Sequence, residues 1–373
     1  MPDTLLLDSL EVRGFRAFHD LQIPHLGVVN LIVGKNNVGK SSLLEALRLY
    51  AENGSPALIR ELLVARQESK RATLRSRESV SRGFEDEEDP IQAIKYLFYN
   101  RPSLAGSVDP IIIGPVNSIN RSISISIEMK WKPEGDIVQS ELPLMPTVDR
   151  TGASPALVVE VGDYTTNHYF LEHTFKFNLR GDPSSIPQTF IAANGLDKQR
   201  IGNLWNRMTE LNLEDEVLAA LKIITPEVQR ISLLVDQQGT REHTPVVKVD
   251  GVNRLIPLRN MGDGMVRMFG IALALVNARN GMLLIDEVEN GIHYSVQADM
   301  WRLIFGAAQR FNIQVFATTH SLDCIRGFRK AALEDTQAEG VLIRLQRKRE
   351  DITATVFDED EVAIATRNGI EVR

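Results

Sequence analysis

The chain has 373 residues, of which 43% are hydrophobic, and it carries a formal net charge of -7. This size allows one large domain or two ordinary ones, each with a buried core. The single cysteine, Cys324, excludes an intrachain disulfide framework and leaves nothing for a cysteine zinc site. The acidic balance argues against a general nucleic-acid-binding field, although it does not exclude a local basic groove.

The N-terminus carries acidic residues on both sides of a short apolar patch, which is the wrong pattern for a signal peptide. No apolar stretch of the sequence approaches membrane-spanning length. We therefore expect a soluble, cytoplasmic protein with no membrane partner, and a reducing compartment agrees with the single cysteine.

The first elements in chain order are a strand, a turn at 17–27, an apolar strand at 28–33 and a helix that begins in "SSLLEALRLYAE". Residues 55–250 form a predicted insert that starts as a helix. Its polar and basic stretch is interpreted as a solvated helix and loop, with a contact for a partner or nucleic acid as the alternative. Period-two alternation between about 122 and 180 predicts antiparallel strands, and helices and further short strands follow.

The last third alternates helices with the buried strands "GMLLID" and "IQVFATTH", a pattern typical of a parallel sheet covered on both faces. Two strands and an acidic terminal helix are predicted after it. No internal repeat and no sustained heptad pattern is present in the sequence. The predicted organisation is an N-terminal lobe, an insert that partly belongs to that lobe, a C-terminal lobe and a tail, at 1–54, 55–250, 251–330 and 331–373.

The first motif of chemical interest is "GKNNVGKS", which satisfies the P-loop pattern G-x-x-x-x-G-K-[ST] between an apolar strand and a helix. Such a loop curls backbone N–H groups around phosphate oxygens, Lys40 would reach the β- and γ-phosphates, and the Ser41 hydroxyl would bind Mg²⁺. The nucleotide-binding residues are predicted to be Gly34, Lys35, Asn36, Asn37, Val38, Gly39, Lys40, Ser41 and Ser42.

The second motif is "MLLIDEVEN", in which a buried strand ends in two adjacent carboxylates. The strand would carry Asp286 to the carboxyl edge of the sheet, where it can hold Mg²⁺ through water, as a Walker B aspartate does. Glu287 is then the predicted general base for the attacking water. A third motif, "VFATTHS", ends another buried strand at His320, which would lie beside Asp286 and could sense the γ-phosphate.

The fourth motif, "RNMGDGMVRMFGIALALV", places two glycines around an acidic residue at the start of an amphipathic helix. On its own this pattern is more typical of a turn with a helix cap. It lies about one helix before the Walker B strand, where ATPases that bind nucleotide between two subunits carry the signature that contacts the partner's γ-phosphate. The predicted signature residues are Met261, Gly262, Asp263 and Gly264.

These four motifs in this order resemble the ABC-type ATPases of the RecF, SMC and OLD (overcoming lysogenization defect) group. "LEVRGFRAF" resembles that group's opening strand, and "MGDGMVRM", "LLIDEVENGIHYS" and "QVFATTHSLDCI" resemble OLD-type ATPases in particular. The resemblance covers residues 1–50 and 255–330. It implies a P-loop NTPase of ABC-ATPase type, an α/β fold with a mixed sheet, helices on both faces and an insert of strands and helices between Walker A and the signature.

The resemblance also implies ATP and Mg²⁺ as cofactors and a dimer that closes when ATP lies between Lys40 of one subunit and the glycine turn of the other. His293 would lie in the D-loop, near the dimer interface. The missing heptads argue for a compact insert in place of long coiled-coil arms. Gln92 is the candidate for the Q-loop glutamine, which no local pattern marks.

Full-length OLD nucleases add a C-terminal TOPRIM domain, for which the residues after His320 leave no room. A tail cluster is interpreted as a solvated acidic face rather than a metal site; it consists of Asp358, Asp360 and Glu361. The leading hypothesis is therefore an ATP-driven dimerising switch, a homodimer or higher homo-oligomer. It would be the ATPase subunit of a bacterial anti-phage system whose separate effector is a TOPRIM-type nuclease or a toxin.

Two other functions stay open. A RecF-like repair ATPase would bind DNA directly, with a salt-sensitive and ATP-dependent affinity. A nucleotide-binding scaffold would assemble a complex with little turnover, although the intact carboxylate pair speaks against it. A GTPase is less expected, because no N-K-x-D guanine-reading motif follows the P-loop.

Overall fold

The computed structural model describes residues 5–68, 93–102, 108–131, 153–171, 174–175, 185–235, 243–334 and 339–357. Gln92, the predicted acidic terminal helix and the cluster at 358–361 lie outside these residues. No helix in the described ranges is long and apolar enough to cross a membrane.

The described strands, in chain order, are β1 (Leu10–Phe15), β2 (Phe18–Ile23), β3 (Val29–Val33), β4 (Ile111–Gly114), β5 (Ile123–Trp131), β6 (Ala153–Val161), β7 (Tyr164–Leu171), β8 (Thr174–Phe175), β9 (Gln188–Ile191), β10 (Val228–Val235), β11 (His243–Val249), β12 (Ile256–Pro257), β13 (Met282–Ile285), β14 (Gln314–Thr318), β15 (Gly340–Lys348) and β16 (Asp351–Phe357). The described α-helices are α1 (Lys40–Ala51), α2 (Pro56–Ala65), α3 (Lys198–Glu210), α4 (Glu214–Lys222), α5 (Asp263–Asn277), α6 (Tyr294–Arg310) and α7 (Leu322–Glu334).

The central sheet has six strands in the order β16-β15-β3-β14-β13-β9. The strands from β15 to β9 pair in parallel, and β16 closes the edge as an antiparallel hairpin with β15. Parallel strands point their carboxyl ends toward the same edge of the sheet. The segments after β3, β14 and β13, which hold three of the predicted motifs, therefore emerge side by side.

Both faces of the central sheet are covered, because alternate residues of each strand point to opposite sides. Leu283 and Ile285 belong to a hydrophobic cluster with residues of α5, α6 and α7, whereas Met282 and Leu284 belong to a second cluster with α1 and the antiparallel sheet. All four side chains are buried. A continuous apolar run is what a strand covered on both faces requires, and the predicted fold class is confirmed.

A second, antiparallel sheet has the order β2-β1-β4-β5-β6-β7-β8. It joins the N-terminal hairpin to strands of the insert through the pairing of β1 with β4. The strands β1 and β2 therefore share one sheet with β4 to β8. The predicted domain limits themselves stay predictions. A small antiparallel sheet, β10-β11-β12, follows α4.

One element differs from its prediction. The stretch 17–27, predicted as a turn, contains the strand β2, and the actual turn is the short link between β1 and β2. Arg16 makes this link with a left-handed backbone, φ 50°. The prediction is wrong because the buried positions of β2, Phe18, Leu21 and Ile23, are not spaced by two throughout. Pairing with β1 and the hydrophobic cluster beneath it fix the strand instead.

Candidate active site

The P-loop is a tight backbone turn between β3 and α1. Gly34 has φ 146° and Gly39 has φ 94°, values that side-chain-bearing residues rarely adopt. A Cβ on Gly34 would lie 2.5 Å from the carbonyl oxygen of Leu345, and one on Gly39 would lie 2.9 Å from the ring of Phe18. The two glycines are therefore required by close packing against β15 and β2 as well as by backbone conformation.

Lys40 lies inside this turn. Its side chain is buried, and Nζ donates to the carbonyl oxygens of Gly34 at 2.7 Å and Lys35 at 2.9 Å. Burial lowers the pKa of Lys40, and the nearby carboxylates Asp286 and Glu287 oppose that shift. A buried ammonium group whose partners here are neutral carbonyls gains a counter-ion when a phosphate enters the loop.

The hydroxyl and carboxylate expected to serve Mg²⁺ are adjacent in space. Ser41 Oγ donates to Asp286 Oδ2 at 2.9 Å. Ser41 lies in α1, which follows β3, and Asp286 follows β13, and these two strands flank β14 in the sheet. Mg²⁺ prefers oxygen ligands of this kind, with waters and phosphate oxygens completing its octahedron. The residues present therefore fit a Mg²⁺–nucleotide complex.

Glu287 begins the turn that follows β13 with a left-handed backbone, φ 49°. For a residue other than glycine this conformation costs about 1–2 kcal/mol and persists only when its surroundings impose it. Thr318 supplies one such restraint: its hydroxyl accepts from Glu287 N at 2.8 Å and donates to Asp286 Oδ1 at 2.6 Å. Thr318 has no exposed surface.

His320 completes this edge of the sheet. Its Nε2 lies 3.6 Å from Glu287 Oε1, and its backbone N–H donates to Glu289 Oε1 at 3.1 Å. The imidazole and the Glu287 carboxylate are both partly exposed, so water can reach them. A cleft of about 580 Å³ opens beside them, and its lining residues are Val33, Gly34, Lys35, Asn36, Thr319, His320 and Ile325.

The glycine turn at 261–264 is not brought to this cleft. Gly262 caps α5 with φ 102°, and an added Cβ there would meet no atom within 4 Å. The turn instead packs on the segment after Glu287, since a Cβ on Gly264 would lie 3.0 Å from the carbonyl oxygen of Gly291. Met261 and Gly264 are half-buried, and Asp263 is exposed.

His293 lies just beyond this contact, at the start of α6. Its Nδ1 is 2.8 Å from Ser295 Oγ, and its ring contacts that of Tyr294 with centroids 4.3 Å apart. Tyr294 is 65% exposed. The glycine turn and the predicted D-loop therefore form one continuous exposed surface, separate from the chain's own P-loop cleft.

Three residues that shape the site were not predicted from the sequence, namely Thr318, Glu289 and Arg267. Thr318 and Glu289 lie inside the two strand-end motifs, so their position next to strand ends was the available signal. Arg267 is buried in α5, and its guanidinium donates to backbone carbonyls of residues 286 and 287. Arg267 is the only basic residue of α5, and its position among apolar residues of that helix was the available signal.

Two family models match this chain. One, described as "AAA ATPase domain", covers residues 6–135, and the other, described as "AAA domain, putative AbiEii toxin, Type IV TA system", covers residues 175–323. Together these ranges contain the P-loop, the glycine turn and both strand-end motifs. Each model covers less than half of the chain, and the matches support ATP hydrolysis as the activity of this protein.

Several proteins resemble the ATPase in sequence. An "ATP/GTP phosphatase" of Helicobacter pylori is 24% identical over 352 residues, which cover 86% of this chain and 86% of that protein. The uncharacterized protein MJECL11 of Methanocaldococcus jannaschii is 33% identical over 96 residues, covering 26% of this chain and 83% of that protein. MJECL10 of the same organism is 39% identical over 66 residues, or 16% and 30% of the two chains.

Solved structures similar to the ATPase include two SMC heads. An SmcHead bound to the C-winged helix domain of ScpA has a TM-score of 0.48 and 12% identity, over 94% of this chain and 98% of that one. The SMC head domain from Thermotoga maritima has a TM-score of 0.44 and 10% identity, over 95% and 100% of the two chains.

Proposed function

We propose that this chain is a Mg²⁺-dependent, OLD-type ATPase that acts as an ATP-driven dimerising switch. One observation carries the hydrolytic part of the proposal. Lys40, Ser41, Asp286, Glu287 and His320 converge at one edge of the central sheet, with Ser41 Oγ 2.9 Å from Asp286 and His320 Nε2 3.6 Å from Glu287. This is the set of groups that phosphoryl transfer to water requires.

Each residue has a role in the proposed reaction. The P-loop amides and Lys40 bind the β- and γ-phosphates of ATP and neutralise charge that develops on the γ-phosphoryl group. Ser41 and Asp286 would hold Mg²⁺, which supplies charge neutralisation between the phosphates. Glu287 orients and deprotonates the attacking water, and His320 donates to the γ-phosphate oxygens from the adjacent strand end.

Dimerisation is proposed from the exposed surface that the glycine turn and the predicted D-loop form. The glycine turn at 261–264 opens α5, and the N-terminus of a helix favours a bound anion. Gly262 leaves that position open, and Gly291, His293 and Tyr294 extend the surface around it. Because the turn does not line the chain's own cleft, we propose that it contacts the γ-phosphate bound by a second copy. Two copies related by a two-fold axis would then share two identical sites.

The proposed output belongs to a separate protein. The chemical groups gathered at the cleft serve nucleotide hydrolysis, so hydrolysis would switch the assembly while a TOPRIM-type nuclease or a toxin acts as effector. The description of one matching family model names a putative toxin and a toxin–antitoxin system, which supports a role in bacterial anti-phage defence.

The switch is tested with Glu287→Gln, which should bind ATP and Mg²⁺ without hydrolysing them. Size-exclusion chromatography with light scattering should show a nucleotide-dependent dimer for this variant with ATP, and less dimer with ADP. Lys40→Ala is the matched control, since it should lose both ATP binding and the ATP-dependent dimer. A Glu287→Gln chain that binds ATP and shows the same mass with and without it would refute the switch.

A further inference from the structure

The guanidinium of Arg267 lies against the backbone of residues 286–288, which follow β13 and are called the catalytic turn below. Nη2 donates to the carbonyl oxygens of Asp286 at 2.6 Å and Glu287 at 2.7 Å, and Nε lies 3.5 Å from that of Val288. Nη1 donates to the carbonyl oxygen of Ala192, just after β9, at 2.8 Å. One side chain of α5 therefore holds consecutive carbonyls at the end of β13 and ties them to the neighbouring strand.

These carbonyls need such a partner because β13 ends at Ile285 and its pairing with β14 ends at the same residue. A buried backbone carbonyl without a hydrogen bond is costly, so another donor must replace the hydrogen bonds of the strand pairing. A planar guanidinium can serve several acceptors at once, which an ammonium group does less well. Arg267 is only 5% exposed, and burial lowers its pKa to about 10, so it stays charged at neutral pH.

The restraint acts on the residue whose backbone is strained. Glu287 adopts φ 49°, and its carbonyl oxygen accepts from both Arg267 and the N–H of Asn290 at 3.0 Å. On the amino side of the same residue, the backbone N–H of Glu287 donates to the Thr318 hydroxyl. Arg267 and Thr318 thus fix Glu287 from two sides and aim its carboxylate toward His320.

We propose that Arg267 is a positioning residue for ATP hydrolysis, which holds Glu287 in its left-handed conformation through the carbonyls of residues 286–288. The proposal rests on the proposed role of Glu287 as general base. Arg267 also lies one helical turn after the glycine turn, on the helix that begins there. Arg267 therefore connects the glycine turn, which would contact the second copy, with Glu287, which would act on the nucleotide bound by its own chain.

The test is the substitution Arg267→Met, which keeps much of the side-chain volume and removes all of its donors. We expect kcat to fall about 100-fold, because a misplaced catalytic group commonly costs that much, while the Kd for ATP changes less than about threefold. Arg267→Lys should give an intermediate kcat, since one ammonium can serve only part of the carbonyl set. The order Arg, Lys, Met in kcat at constant ATP affinity is the signature of a positioning role.

Arg48→Met is the matched control. Arg48 is 4% exposed, and its guanidinium pairs with Glu61 at 2.9 Å and lies over the Phe190 ring rather than on the catalytic turn. It should lose stability without a selective loss of kcat. If Arg267→Met kept the kcat of the unsubstituted chain, or lost kcat only in proportion to the fraction unfolded as Arg48→Met does, the proposal would be overturned. Should Arg267→Met not fold, Arg267→Lys against Arg48→Lys carries the same comparison.

A second readout separates this proposal from the dimerising switch. Arg267→Met combined with Glu287→Gln should still form the ATP-dependent dimer, because ATP binding and the glycine turn are left in place. If Glu287→Gln alone fails to dimerise, the switch fails while the kcat comparison at Arg267 still stands. If the double variant alone fails to dimerise, Arg267 is needed for the interface and the positioning proposal is overturned.

Discussion

Thr318 offers the most direct way to separate the geometry of the active site from its chemistry. Its buried hydroxyl makes a hydrogen bond to the Asp286 carboxylate at 2.6 Å and one from the Glu287 amide at 2.8 Å. Thr318→Val has nearly the same shape and removes both. A hydrogen bond to a charged group contributes about 1.5–3 kcal/mol and a neutral one about 0.5–1.5 kcal/mol, so the combined loss is about 2–4.5 kcal/mol.

That free energy predicts both a stability change and a rate change. Urea unfolding of Thr318→Val should show a loss of about 2–4.5 kcal/mol in the free energy of unfolding. If a loss of that size misplaces Glu287 in the transition state, kcat should fall about 30-fold to about 2,000-fold, since 1.36 kcal/mol corresponds to a factor of ten. Steady-state phosphate release, with ATP affinity measured in parallel, gives the two constants.

Two variants make the Thr318 experiment specific. Thr318→Ser keeps the hydroxyl and should retain most of the kcat, and Thr225→Val, which removes a half-buried hydroxyl that contacts Met265, should leave kcat unchanged. A Thr318→Val chain with unaltered kcat would show that this hydroxyl does not position Glu287 for catalysis. So would an equal loss in Thr318→Ser, because the methyl group and not the hydroxyl would then be responsible.

Two further predictions follow from the fold around the site. Gly34→Ala should abolish nucleotide binding, because the added Cβ would lie 2.5 Å from the Leu345 carbonyl oxygen. Gly306→Ala, inside α6, should instead raise stability by about 1 kcal/mol, because an added Cβ there meets nothing within 4 Å. Calorimetric ATP titration and thermal melting check the pair, and tight ATP binding by Gly34→Ala would contradict the prediction. Burial raises the pKa of the Cys324 thiol from 9.0 to about 12, so the thiol is neutral when folded and ionised when unfolded between those values, and the free energy of unfolding should fall as pH rises from about 9 to about 12. Cys324→Ala should remove that part of the pH dependence, and an unchanged slope in this variant would contradict the assignment.

The motifs could be predicted because their requirements are local. A phosphate-binding turn needs glycines at fixed offsets, and the glycine-rich stretch before α1 meets that need in the structure. The apolar runs before Asp286 and His320 indicated buried parallel strands, and β13 and β14 do pair side by side. Adjacent strand ends then bring the two motifs together, which the chain order alone was enough to suggest.

Other features depend on contacts between distant parts of the chain. Nothing near Gly34 in the sequence indicates that Leu345 of β15 lies against it, and nothing near Arg267 indicates which carbonyls its guanidinium meets. The strand β2 was missed because β1 and the cluster beneath it, rather than its own periodicity, determine its conformation. Long-range packing of this kind is specified by the whole chain, so single motifs do not reveal it.

If two copies share each nucleotide, two variants that are inactive alone should restore activity when they are mixed. Lys40→Ala loses its own P-loop, and Asp263→Tyr places bulk on the exposed glycine turn, so each variant alone should hydrolyse ATP at background rate. Mixed in equal amounts, half of the dimers are heterodimers with one intact shared site, so activity should return to at most about a quarter of that of the unsubstituted chain. If the mixture stays inactive although heterodimers form, or if Asp263→Tyr alone keeps full activity, the shared site is contradicted.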